Sequence, residues 1–396
     1  MNKTDKIKII IVNNNMKIGG VQKSLCNLLW TIHNEYDITL CLFSRRGSYL
    51  DDIPPDVKVV ESKGPFSYLG VSQNECDNIF DKIKRGALAL VCKLFGRSRT
   101  IRLMLKFESY CQGDFDCGIA FLHNGREKSF YGGVQEYVLK RIKAERKIAF
   151  LHCDYKLCGV DIKQNEDIIK QFDVIAACSD GCKDSFVTTI PHLAEKCVTL
   201  KNCHRYDEIR KQAEIDTFEY DKNSINLLIV SRLSHEKGID RAINACTKAY
   251  KHGFNIKLHI LGNGALRNDL QTYSDRCGIS ERVIFHGEQS NPYRYMKNAD
   301  LLLMTSYHEA APMVIDEAIS LGLPVLTTKT VSSVEMVEEI QGGWVCENDN
   351  DSFDAALVDL LKNIKQLKTT SDNLKNRISE CNNDASVVTF RRIVAG

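Results

Sequence analysis

Short apolar runs bounded by polar turns recur along this chain, and they alternate with stretches whose apolar residues fall at helical spacing. In the first half, residues 9–12, 38–43, 57–60, 117–122, 147–151, 173–177 and 197–200 read as strands, several of them apolar on both faces. Val21, Leu25, Leu28 and Leu29 then recur as one face of a helix. A polar, charged interval from Arg205 to Lys222 carries no strand signal, and the alternation restarts behind it. There, strands are expected at 225–230, 257–261, 282–286, 301–304, 324–327 and 343–345. Helices are expected at 239–251, from the 262–264 turn to Cys277, near Pro292, from Pro312 and around 333–339.

This βα alternation predicts an α/β protein of two Rossmann-like, doubly wound parallel-sheet domains facing across a cleft. The expected division is an N-terminal acceptor domain at 1–205, a linker at 206–222, a C-terminal donor domain at 223–380 and a closing helix at 381–396. A length of 396 residues allows each domain its own core.

Charge and cysteine content narrow the classes. A net charge of +2 without a long basic run argues against holding nucleic acid by bulk charge. Sixteen cysteines contain no Cys-x-x-Cys, and the closest pairs are Cys153 with Cys158 and Cys178 with Cys182. That pattern fits reduced thiols packed as small apolar residues better than zinc or a disulfide framework. The first apolar run is four residues long with charges on both sides, a strand and not a signal peptide. No stretch reaches the roughly 18 to 20 apolar residues of a membrane span, so a cytoplasmic protein is expected.

Candidate chemistry concentrates at strand ends. In YHEAAPMVIDEAISLGLPVLTT, Glu309 and Glu317 are separated by seven residues, one on the loop after a buried strand and one in the following helix. With Pro312 in the first turn, Val314, Ile315, Ala318 and Ile319 should face the core while Glu317 looks toward the loop. Carboxylates there could accept from sugar hydroxyls, while the amides of Ala310 and Ala311 reach oxygens of sugar or diphosphate. Arg232 and Lys237, in the SRLSHEKG loop of another strand end, supply two cations for a diphosphate. In the first half, Gly19 and Gly20 open a helix where backbone can approach a ligand. His123 and His152 each end a strand, the side of a parallel sheet where ligands collect. Asp114 and Asp116 form a D-x-D that a metal-dependent transferase could use, but its expected place, just before a strand, favours a solvated strand entrance. Residues 82–106 mix Lys82, Lys84, Arg85, Lys93, Arg97, Arg99, Arg102 and Lys106 with apolar clusters, a candidate contact for an anionic membrane surface.

SRLSHEKG, LGNGALRNDL, RVIFHG and SYHEAAPMVIDEAISLGLPVLTT, in this order, resemble the donor domain of the family 4 retaining glycosyltransferases, which have the GT-B fold. GGVQKSL and CVTLKN resemble that family's first-domain motifs. The resemblance implies transfer of a hexose-type sugar from a nucleotide diphosphate sugar, UDP-linked by expectation, to a glycan or lipid-linked acceptor, with retained configuration and neither metal nor cofactor. It assigns Glu309 and Glu317 to the paired motif, Arg232 and Lys237 to the diphosphate, Gly19 and Gly20 to the opposing backbone contact, and the family's histidine to His123, with His152 in reserve. Catalytic roles fall to Glu309, Arg232, Lys237 and His123. Many members carry Gly-Phe-Gly where this chain has Ala310-Ala311-Pro312, and Pro312 cannot donate an amide. The expected setting is surface polysaccharide or glycolipid synthesis at the inner face of the cytoplasmic membrane. A nucleotide-sugar epimerase of the same architecture and a non-catalytic nucleotide-binding subunit are the alternatives.

Overall fold

The computed structural model describes residues 6–396; the expectation of charges ahead of the first strand falls partly on residues 1–5, outside them. The chain divides into two compact units, Met1–Cys203 with Asn383–Gly396, and His204–Asn382.

Among the described residues the first unit holds seven strands, β1 (Lys8–Asn13), β2 (Asp37–Leu42), β3 (Lys58–Glu61), β4 (Asp114–Ala120), β5 (Lys143–Leu151), β6 (Val174–Ala177) and β7 (Cys197–Thr199). Their order is β3-β2-β1-β4-β5-β6-β7, with every pairing parallel. Ile9 to Val12 are wholly buried, because helices cover both faces of a parallel sheet. The sheet order reverses at the β1/β4 boundary, where two strands lead away to opposite sides.

The second unit repeats the plan with β8 (Ile225–Val230), β9 (Ile256–Leu261), β10 (Val283–Gly287), β11 (Leu301–Met304), β12 (Val325–Thr328) and β13 (Gly343–Cys346), ordered β10-β9-β8-β11-β12-β13. Alternate residues of β8 feed different cores: Leu227 and Ile229 pack with Ala242, Ile243 and Leu258, while Leu228 packs with Leu302, Ile315 and Val325. Each fully buried aliphatic of this kind contributes about 1.5–3 kcal/mol relative to exposure. Reversal falls at β8/β11, so the loops leaving those strands emerge side by side.

Several expectations need correction. The interval expected as a linker contains a helix, Tyr206–Glu214, which buries Ile209 and Ala213. The chain's last helix, Asp384–Ala395, falls where a closing helix is expected, and it packs Phe390, Ile393 and Val394 into the core of the first unit. β4 begins at Asp114, so the D-x-D lies within the strand and not ahead of it. Pro312 precedes the helix Met313–Ile319 as its cap residue, with ψ 115° in the extended range. Val314 is only half-buried, and Glu317, expected to look toward the loop, is 2 % exposed. The segment 334–338 winds with the wider π-helical spacing in place of an ordinary α-helix.

Candidate active site at the strand ends

The loop after β8 and the loop after β11 are stitched together by backbone. Tyr307 N–H donates to the Glu236 carbonyl at 2.9 Å, and Thr305 Oγ1 donates to the Lys237 carbonyl at 3.0 Å. Gly238 takes the left-handed conformation at φ 56°, and a Cβ there would stand 2.4 Å from the Thr305 carbonyl oxygen. Only glycine permits that approach at that φ. The neighbouring turn is equally tight: Gly262, at φ 131°, would put a Cβ 1.9 Å from the Ser231 carbonyl.

The result is a specific pair of charges. Lys237 Nζ lies 2.5 Å from Glu309 Oε1, and Ser306 Oγ donates to the same oxygen at 2.7 Å. The side chains of Lys237 and Glu309 are 19 % and 12 % exposed, shielded enough for the charges to matter yet open to a ligand. With Ser231, Thr305, Pro312 and Val314 they line an open, shallow pocket whose floor is the apolar ends of β8 and β11. A carboxylate and an ammonium on such a floor can receive hydroxyls and an anion together.

The other expected residues sit differently. Arg232 is 68 % exposed and directs its guanidinium to Glu236 in its own loop, at 3.1 Å, without lining the pocket. Ala310 and Ala311 occupy the half-buried turn between Glu309 and the helix. Glu317 lies in that helix, buried, and does not line the pocket. Ser306 escaped the sequence reading because a serine beside a strand end has no spacing signature; only its contact with Glu309 reveals it.

In the first unit, the loops after β1, β4 and β5 gather a second set of polar groups. Ala120 pairs with Ala149 in register, so His123 and His152 each stand three residues beyond a matched pair. Burial pushes the His123 imidazole down to about 4. His152 falls to about 3, by burial and then by the proximity of His123. Both rings are therefore neutral near pH 7. Among the described residues, buried Asn13 Oδ1, His123 Nδ1, Asn124 Nδ2, His152 Nε2 and Tyr155 OH have no hydrogen-bond partner. Orphaned polar atoms at strand ends mark room for water or for ligand hydroxyls. Gly19 has extended backbone at φ 174°, and Gly20 opens the helix Gly20–Ile32 with free space where a side chain would point.

Asp114 pairs with Lys143 at 2.9 Å, and Asp116 accepts the Lys8 backbone amide at 2.7 Å, both at the amino ends of their strands. Among the described residues no cluster of three metal-ligating side chains occurs. The basic stretch forms two helices, Ile79–Phe95 and Arg97–Lys106. Arg97 is excluded from its surface: it is 1 % exposed, 2.9 Å from Glu136 and bonded to Asn165.

Two parallel-sheet α/β units with polar groups at their strand ends fit the GT-B architecture, the class to which solved neighbours of the whole chain belong. One of these, Anabaena HepE in complex with UDP, superposes at TM-score 0.67 with 16 % identity, over 98 % of this chain and all of that one. Residues 210–377, most of the second unit, match the family described as glycosyl transferases group 1. Lipopolysaccharide 1,6-galactosyltransferase of Salmonella typhimurium is 30 % identical over 179 residues, 44 % of this chain and 48 % of the relative. The Campylobacter jejuni N-acetylgalactosamine-N,N'-diacetylbacillosaminyl-diphospho-undecaprenol 4-alpha-N-acetylgalactosaminyltransferase is 28 % identical over 208 residues, 52 % of this chain and 55 % of the relative. The matched regions thus span about half the length of these relatives.

Proposed function

We propose that this protein is a retaining glycosyltransferase that moves a hexose-type sugar from a UDP-sugar to a glycan or lipid-linked acceptor in surface polysaccharide or glycolipid synthesis. The observation that carries the reading is the Lys237–Glu309 pair, held by Ser306 at the β8/β11 reversal within the region that matches glycosyl transferases group 1. Support for the donor class comes from the UDP bound to the HepE structure, and for the acceptor class from the lipopolysaccharide and diphospho-undecaprenol in the relatives' names.

In this reading Lys237 stabilises the leaving diphosphate, and the exposed guanidinium of Arg232 leaves Glu236 to grip it as a fork. Loss of one such preorganised donor commonly costs about 3–4 kcal/mol of transition-state stabilisation. Glu309, bonded to a lysine and a serine, accepts from sugar hydroxyls and forms no covalent link. The acceptor hydroxyl attacks the anomeric carbon from the face the diphosphate leaves. The C1–O bond to phosphate breaks, the C1–O bond to the acceptor forms, and the hydroxyl proton passes to a leaving phosphate oxygen. Neutral His123 and His152 offer ring nitrogens to hydroxyls. No metal or cofactor enters these steps.

The acceptor end also carries a membrane contact in this proposal. On the helix Ile79–Phe95, Ile79, Ile83, Ala87, Leu90 and Leu94 form one stripe exposed to solvent, joined by Phe80 at 71 % exposure and Phe95. Exposed Lys84, Lys93, Arg99, Arg102 and Lys106 flank it. An unpaired apolar stripe among cations suits the boundary of an anionic bilayer. Among the described residues no helix is long and apolar enough to cross one.

The test is thermal stabilisation by UDP, GDP and ADP, then turnover of UDP-sugars with and without glycan acceptors, each with and without EDTA. Stabilisation by one nucleotide and acceptor-dependent transfer unaffected by EDTA are expected. Sugar conversion without acceptor would make the protein an epimerase, binding without turnover a silent subunit, and no binding would end the donor-site reading.

A further inference from the structure

The helix Ile239–Lys251 turns Ala242, Ile243, Ala245, Cys246 and Ala249 inward, and the same buried side carries an arginine. Arg241 is 5 % exposed, a rare state for a guanidinium unless its donors are matched. Here neutral oxygens match them. Nε donates to Asn350 Oδ1 at 2.8 Å; one terminal nitrogen donates to Asn348 Oδ1 at 2.7 Å and, more weakly, to the Thr305 carbonyl at 3.3 Å; the other donates to the Asn348 carbonyl at 3.0 Å. The guanidinium also sits 4.2 Å from the Tyr307 ring centroid, and the His235 ring stacks with Tyr307 at 5.4 Å and 12°. Asn348 passes the grip onward, its Nδ2 donating to the Tyr307 carbonyl at 2.9 Å and the Lys329 carbonyl at 3.0 Å.

These contacts converge on Thr305 and Tyr307, in the loop that leads two residues later to Glu309, while Lys237 lies one helical turn before Arg241 in the same loop-to-helix connection. One guanidinium is thus the common reference for the two elements that carry the ammonium and the carboxylate of the pocket. We propose that Arg241, with Asn348, is a positioning residue that fixes the Lys237–Glu309 geometry; the inference rests on the donor-site reading for its effect on turnover, but not for its effect on loop order. Directional bonds to neutral acceptors suit this task. An ion pair could slide along a carboxylate, whereas a planar fork meeting two side-chain amides, two carbonyls and a ring face fixes both distance and orientation.

The experiment uses the full chain with R241M, R241K and N348A. Hydrogen exchange should quicken by about tenfold or more in peptides covering 305–309 of R241M and N348A, with β8 and β11 unchanged. For a UDP-sugar turned over by the wild type, kcat should fall about 100-fold while KM stays within about threefold, the signature of misplacement and not of lost binding. R241K should not rescue, since one ammonium cannot span the same acceptors. Wild-type exchange at 305–309 in folded R241M, uniform loosening of the whole second unit, or full rescue by lysine would each overturn the proposal. N348A, which leaves the guanidinium in place, decides the matter if R241M does not fold: unchanged exchange there also overturns it. Absence of any nucleoside diphosphate binding by the wild type would instead end the donor-site reading and leave the loop-order result to stand or fall alone.

Discussion

The Lys237–Glu309 pair can be weighed without knowing the substrate, by a double-mutant cycle of K237M and E309Q. At 19 % and 12 % exposure the pair lies between a surface ion pair and a buried one. Exposed pairs contribute about 0.2–1 kcal/mol, and because E309Q keeps the Lys237 hydrogen bond the cycle reads the lost charge alone, so a coupling of about 1 kcal/mol is expected. K237M should be the costlier single change. It leaves a shielded carboxylate with the Ser306 hydroxyl but no cation, whereas glutamine in E309Q can still accept from both Lys237 and Ser306. The double variant should therefore be no less stable than K237M. Urea unfolding followed by Trp344 fluorescence in a W30F background reports on the second unit, because each unit holds one of the two tryptophans. A coupling under about 0.5 kcal/mol, the range seen for independent sites, would mean that the contact is not maintained in solution.

Four further outcomes follow from other contacts. R232A should change stability by less than about 0.5 kcal/mol, its ion pair being exposed, yet weaken nucleoside diphosphate binding by calorimetry; unaltered affinity would remove Arg232 from the site. R97M strands a buried carboxylate at Glu136 and should lower the stability of the first unit by about 3–5 kcal/mol in thermal melts, with R97M/E136L recovering much of it. His123 and His152 hold fewer protons folded than unfolded, so their contribution is complete above about pH 6.5 and is lost as pH falls toward about 4 and about 3; H123Q/H152Q should flatten that part of the stability–pH curve, and an unchanged slope would contradict the buried neutral rings. I83E/L90E/L94E should abolish salt-sensitive cosedimentation with phosphatidylglycerol vesicles while a soluble acceptor is still glycosylated; binding equal to wild type would discard the helix as the contact.

The sheets were legible in the sequence because parallel strands buried on both faces write uninterrupted apolar runs, as at Ile9–Val12 and Leu301–Met304. Where one end of a strand meets solvent the signal fades: β4 opens on DFD, polar and apolar by turns, and Asp114 and Phe115 pair only with β5, so Asp114 reads as an entrance. The helix Tyr206–Glu214 was missed for a related reason. Two inward residues, Ile209 and Ala213, are a weak stripe until the helix Tyr293–Met296, remote in sequence, packs beside it. Nor can order along the chain say that Phe390 meets Tyr36, ring edge to face at 5.6 Å. Such contacts are decided by tertiary packing, which outweighs local propensity.

The same division governs the site. Lys237 and Glu309 could be picked out because charged residues just past buried strands stand where an open α/β sheet collects ligands. Ser306, Arg241 and Asn348 could not, because an ordinary residue becomes consequential only through what lies across from it. Arg241 nevertheless left a trace: it occupies the side of its helix that also carries Ala242 and Ala245, where a cation is costly unless its donors are matched. A charged residue on an otherwise buried helix side is therefore worth treating as a question about the loops it must reach. In this chain the loop it reaches carries Tyr307 and Glu309, so the exception in the core pattern and the carboxylate of the pocket are two ends of one structural dependence.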